Sequence, residues 1–146
     1  MPTQSQDPIA WIALNSVHGL GPVKINSLLE RYGTPEAVLE ESPSVLAQLT
    51  GISPEAAHGL RDGAFMESAK QQYDLAVRMA IDVITLHDER YPPMLREIFA
   101  PPPVLFAKGD FSAFKRQAVA IVGTRKPTPY GKSATEYLTR ELASQG

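Results

Sequence analysis

The chain has 146 residues, 43% of them hydrophobic, with 14 Lys/Arg against 16 Asp/Glu, which suits one ordinary globular domain or two small ones. It has no cysteine, so a disulfide framework, a thiolate nucleophile and a zinc-thiolate site are excluded, and a reducing cytoplasmic setting fits. His18, His58 and His87 are scattered, which argues against a histidine metal cluster, and neither an apolar run of ~20 residues nor a signal-peptide pattern in MPTQSQDP points to a membrane span or export.

The net charge of −2 is unevenly spread. Residues 1–80 hold five Lys/Arg against nine Asp/Glu, whereas residues 81–146 hold nine against seven. From Lys108 to Lys132 there are six basic residues and one acid, Asp110. Such a local excess is either a footprint for a phosphate backbone or a solvated pair of basic loops.

Asp7-Pro8 reads as an N-cap with proline at the first helical position, and Ile9, Trp11, Ile12, Ala13 and Val17 continue an amphipathic helix to about Val17. After His18-Gly19-Leu20-Gly21, Pro22 opens a second helix with Ile25, Leu28, Leu29 and Tyr32 on one face and Gly33 as its stop. Gly51-Ile52-Ser53-Pro54 repeats Gly19-Leu20-Gly21-Pro22 at a shift of 32 residues, so the pattern predicts a paired helix-hairpin-helix, SAM-like module over residues 1–62. Thr34-Pro35 and Ser42-Pro43 repeat the cap-then-proline start between the copies. Only Lys24 lies near the first hairpin and Glu55 follows the second, so the module reads as protein contact or structural support more than as a DNA clamp.

Residues 63–80 predict a connecting helix through Phe65, Ala69, Tyr73, Ala76 and Ala80. The stretch 81–146 then reads as the opening of a Rossmann-like α/β domain, with strands near 81–86, 104–107 and 118–122, proline corners at 91–93 and 101–103, and a helix over 130–144. The fold class expected for the whole is an α+β two-part chain, a helical bundle followed by these opening strands and helix. Three strands with one good helix leave a face of a parallel sheet uncovered, so the last segment is expected to be either exposed and poorly ordered or covered by a second copy in a homodimer.

Ala118-Val119-Ala120-Ile121-Val122 has the composition of a strand buried on both faces, Gly123 ends it, and Tyr130, Ala134, Tyr137, Leu138 and Leu142 take up helical spacing. A turn between a strand end and a helix N-terminus favours an anion. Arg125 could fork onto a phosphate, Lys126 and Lys132 add point charges, and Gly123 admits close approach. The same residues also fit a plain chain turn with solvated cations. Gly123 and Gly131 do not form a G-x-G-x-x-G fingerprint, which disfavours a classical dinucleotide site, and no metal or cofactor is called for.

VGTRKPTPYGK, preceded by YPPML and PPPVLFAKGD, resembles the DNA-processing protein A (DprA/Smf) family. The resemblance implies a cytoplasmic, non-enzymatic protein that binds single-stranded DNA and helps load the RecA recombinase in natural transformation. It also implies that Arg125 contacts the DNA backbone, with Gly123 and Lys126 in the same loop. The expected DNA-binding set is Gly123, Thr124, Arg125, Lys126 and Lys132. Family members continue through a complete Rossmann-like domain, so the later basic residues of the pocket and the dimerisation surface are expected beyond Gly146. Two alternatives stand beside this reading. One is a nucleotide-handling, phosphoribohydrolase-like enzyme, for which Asp110 and Glu136 are the nearest acids, and the other is a protein-interaction module only.

Overall fold

Proline opens every α-helix but one in the computed structural model, which describes residues 7–49, 51–60, 63–116 and 118–145. Its fixed φ suits the first helical position, where the missing N–H costs no intrahelical bond. The helices of the N-terminal half are α1 (Pro8–Ser16), α2 (Pro22–Tyr32), α3 (Pro35–Glu40), α4 (Pro43–Leu46) and α5 (Pro54–Gly59). Four of these have a side-chain cap. The Asp7 carboxylate accepts from Ile9 N at 2.9 Å, Thr34 Oγ1 from Ala37 N at 3.2 Å, Ser42 Oγ from Val45 N at 3.4 Å and Ser53 Oγ from Ala56 N at 3.2 Å. Gly21, before α2, caps without a side chain.

The helices form the expected helix-hairpin-helix tandem, and its two hairpins pack reciprocally. Gly19 and Gly51 both adopt positive φ, +83° and +87°, a region that glycine enters without penalty. A Cβ at Gly19 would lie 3.8 Å from Ala56 Cβ, and one at Gly51 would lie 3.7 Å from Lys24 Cε. Lys24 and Ala56 are equivalent under the 32-residue repeat, so each hairpin glycine faces the same position of the other copy.

The first helix departs from the amphipathic expectation. Ala10, Trp11, Ile12, Ala13 and Leu14 are consecutive and all buried, so α1 is apolar around its circumference and runs through the middle of the core. Around it gather Ile25, Leu28 and Leu29 of α2, Val38 of α3, Leu46 of α4 and Ala56, Ala57 and Leu60 of the second hairpin.

The connecting helix α6 (Gly63–Arg78) contributes Ala69 to the same core. It ends in a Schellman motif: Ala80 N donates to Val77 O at 3.1 Å and Ile81 N to Ala76 O at 2.9 Å, with Ala80 at φ +52°. The chain continues into β1 (Asp82–Thr85), the single-turn α7 (Pro93–Arg96) and β2 (Val104–Ala107). The strands pair antiparallel, Asp82 opposite Ala107 and Thr85 opposite Val104. Ile84 and Val104 are buried, and Val104 joins the helical core. Between the strands, Tyr91 is 2% exposed and its hydroxyl donates to Pro102 O at 2.9 Å, while Asn26 Nδ2 of α2 donates to Pro101 O at 3.2 Å. A short 3₁₀ helix (Phe111–Lys115) follows.

Residues 1–115 and 116–146 form separate compact units. In the second, α8 (Pro129–Ser144) is close to its expected bounds. The strand expected over 118–122 is not formed: the described sheet has two strands, β1 and β2, antiparallel rather than part of a parallel array. All of residues 118–122 are exposed. A strand is defined by the ladder of a neighbour, and no described residue supplies one here, so an apolar β-branched composition alone leaves the run irregular.

Candidate nucleic-acid interface

The turn between Val122 and α8 is built from short-range bonds. Thr124 Oγ1 accepts from Lys126 N at 3.4 Å, which folds the loop back on itself. Thr128 is the N-cap of α8, its Oγ1 accepting from Gly131 N at 3.1 Å and its carbonyl from Lys132 N at 3.1 Å. Pro129 has no N–H to offer. Of the first-turn amides, only that of Tyr130 therefore lacks a partner among the described residues. The helix end is largely satisfied by its own cap, so attraction for an anion rests on the loop and its cations.

A cavity of about 320 Å³ lies against this turn, lined by Ile121, Val122, Gly123, Thr124, Lys132 and Glu136 among others. Gly123, Thr124 and Lys132 thus share one concavity, whereas Arg125 and Lys126 stand outside its lining, on the exposed loop beside it. Arg116, Arg125, Lys126 and Lys132 are all exposed, and among the described residues Arg125, Lys126 and Lys132 have no carboxylate within ion-pair distance. A Cβ on Gly123 would meet nothing within 4 Å, so within this structure glycine is not demanded there by packing. Tyr130 is 82% exposed and presents its ring to solvent.

The basic stretch counted from Lys108 to Lys132 is partly committed elsewhere. Lys108 Nζ donates to Met79 O at 2.8 Å, at the C-terminal end of α6, where a cation also complements the helix dipole. Asp110 accepts from Ser112 N and Oγ at 2.9 and 2.6 Å and starts the 3₁₀ helix. Glu136, the other acid nearest the loop, lines the cavity.

In the first unit the polar chemistry gathers around Arg90, which sequence spacing does not single out. Its guanidinium bonds Asp88 at 2.7 Å and Asp82 at 2.8 Å. Hydrogen bonding from Arg90 holds the Asp88 carboxyl below its ordinary range, and the two carboxylates push Arg90 further up. The neighbouring His87 ring meets Trp11 edge-on at 4.9 Å, and burial together with the Arg96 charge lowers its pKa. Lys24 is also more than a surface cation, since its Nζ donates to Gly19 O at 3.0 Å while its stem covers Gly51.

Two family models match the chain, the SAM-like helix-hairpin-helix tandem over residues 12–64 and the DNA recombination-mediator protein A over residues 82–146. The DNA processing protein DprA of Bacillus subtilis is 45% identical over 67 residues, covering 45% of this chain and 23% of that protein. Protein Smf of Synechocystis sp. is 29% identical over 147 aligned residues, covering 93% of this chain and 35% of that protein. The chain therefore spans about a quarter to a third of the length of these relatives. No solved structure matches it. The helix-hairpin-helix tandem, the proline corners and the VGTRKPTPYGK turn, in the same order along one chain, make it similar to the DNA-processing protein A (DprA/Smf) family.

Proposed function

We propose that this chain is a non-catalytic single-stranded-DNA-binding part of a recombination mediator, engaging the phosphate backbone at Gly123, Thr124, Arg125, Lys126 and Lys132. The observation that carries the reading is the cluster of exposed cations without carboxylate partners around the Gly123–Thr124 concavity. Phosphate contacts supply most of the affinity of a protein that does not read sequence, and they come from side chains of this kind. Lys132 would face a phosphate seated in the concavity, Arg125 would fork onto the next, and the Tyr130 ring offers a stacking platform for a base. The family's description as a recombination mediator, and the name DNA processing protein of the Bacillus relative, support a role in DNA recombination. In the finer reading the DNA is cytoplasmic single-stranded DNA taken up in transformation, RecA recombinase is the partner loaded onto it, and two copies of the chain act together.

The test is an anisotropy titration of a labelled single-stranded oligonucleotide at several salt concentrations, with the wild-type chain and Arg125→Ala side by side. Wild-type binding should weaken as salt rises, and the variant should bind less tightly with its log–log salt slope reduced by about 0.7, one single-strand phosphate contact. An unchanged slope would remove Arg125 from the interface, and no binding at low salt would overturn the reading for this chain.

A further inference from the structure

β1 has an open side. Leu86 N donates to Pro103 O at 2.9 Å, and this pair continues the register in which Ile84 faces Leu105 and Asp82 faces Ala107. Hydrogen-bonded and non-hydrogen-bonded pairs alternate along an antiparallel ladder. Asp82 and Ile84 therefore turn their amides and carbonyls toward β2, and Val83 and Thr85 turn theirs away. The bond from Asp88 N to Thr85 O, 2.9 Å, agrees with that orientation. Val83 N–H, Val83 C=O and Thr85 N–H have no hydrogen-bond partner among the described residues.

A groove of about 730 Å³ runs along the same side. Val83 and Thr85 line it from the strand, and Tyr73, Val77 and Ile81 supply an apolar wall from α6 and its end. Val77 is 59% exposed, so this wall is open to a ligand. At the polar end lie Asp82, Asp88, Glu89 and Arg90, three carboxylates against one guanidinium, which leaves an excess of negative charge. His87 borders the groove, its pKa lowered by burial and by the Arg96 charge, and Arg96, whose Nη2 donates to Asp88 O at 3.0 Å, still leaves three carboxylates against two guanidinium groups.

We propose that this groove takes an extended peptide from a protein partner as a third strand on β1, its aliphatic side chains against the α6 wall and a lysine or arginine at the acidic end. Pairing satisfies the three open backbone groups at once, and a third strand strengthens a two-stranded sheet that is marginal alone. The acidic end selects against a polyanion, so this surface is distinct in its chemistry from the cationic turn before α8.

The probe is a fluorescein-labelled peptide of about eight residues alternating valine and lysine, the length of an ordinary strand, titrated against the full chain. Saturable binding is expected. It should fall about fivefold when alternate peptide amides are N-methylated, the loss of the one backbone hydrogen bond that the Val83 carbonyl accepts. That control leaves the protein untouched. Val83→Pro removes one outward N–H while leaving the pairing with β2 in place, and should weaken binding similarly, with Trp11 fluorescence reporting that the fold is intact. Exchanging the peptide's lysines for glutamates should abolish binding, and Glu89→Lys should weaken it for the original peptide. Equal affinity for the N-methylated peptide would overturn strand pairing, equal affinity for the glutamate peptide would overturn the role of the acidic end, and no binding of the valine-lysine peptide would overturn the proposal outright. Displacement of the peptide by the chain's own concentration-dependent dimerisation would assign the groove to a second copy and overturn the assignment to a foreign partner.

Discussion

Lys24 shows how one side chain holds a repeat together. Its ammonium bonds the first hairpin at Gly19 O, 3.0 Å, and its methylene stem lies against the second at Gly51. Sequence spacing marks it only as the one cation beside the first hairpin, in a module read as protein contact or structural support more than as a DNA clamp, and the structure gives it two intramolecular tasks. Lys24→Ala should lower stability by about 1 kcal/mol, read as a reduced urea midpoint, through the lost hydrogen bond and stem packing. Lys24→Met, which keeps the stem, should recover part of that loss. His87 makes a second residue-scale prediction. Burial and then the Arg96 charge depress its pKa, so the fold prefers the neutral ring. As pH falls below about 6.5 the unfolded chain takes up that proton first, so stability present near neutrality is progressively lost toward the folded-state value. Urea midpoints at neutral and mildly acidic pH should diverge for the wild type and converge for His87→Gln. Trp11, the single tryptophan and in edge contact with His87, reports both transitions by its emission.

At the scale of elements, starts are better encoded than partners. Asp7, Thr34, Ser42, Ser53 and Thr128 each precede a proline and each caps its helix, because the cap bond joins residues two or three apart and depends on little else. The end of α6 is different. Nothing in Met79-Ala80-Ile81 advertises a helix stop, yet Ala80 is held at φ +52° by the two Schellman bonds. Strain at a non-glycine left-handed residue costs about 1 kcal/mol, so Ala80→Gly should raise the thermal midpoint. A fall instead would mean that chain entropy in the unfolded state outweighs the relief. The run Ala118–Val122 marks the opposite limit. Its composition is that of a buried strand, but pairing is a property of two segments, and without a neighbour among the described residues it lies exposed. The antiparallel pairing of β1 and β2 likewise turns on how the proline-rich connection folds back, with Tyr91 buried under Pro102.

At the scale of the whole molecule, no described residue beyond Val104 is buried, and the second unit holds exposed apolar side chains such as Val122 and Tyr137. Brief proteolysis should therefore cut first between residues 118 and 128, and the fragment retaining Trp11 should melt at the same temperature as the intact chain. A lowered midpoint would show that the second unit contributes to the stability of the first. The same division bears on the proposed DNA contact, since the cationic turn draws on local bonds within its own unit.

What the sequence determined by itself was local: proline-opened helices with their caps, the 32-residue repeat of the two hairpins, the motifs that carry the family resemblance, and the concentration of cations ahead of α8. These depend on residues a few positions apart or on composition, and so survive without knowledge of the fold. Tertiary structure alone decided that α1 is the buried centre rather than a surface helix, that Lys24 bridges both hairpins, that Arg90 gathers Asp82 and Asp88, and that β1 keeps one edge open above an acidic groove. Each of these joins groups from different elements, and which groups meet is set by how the whole core packs, a choice that no single stretch of the chain carries.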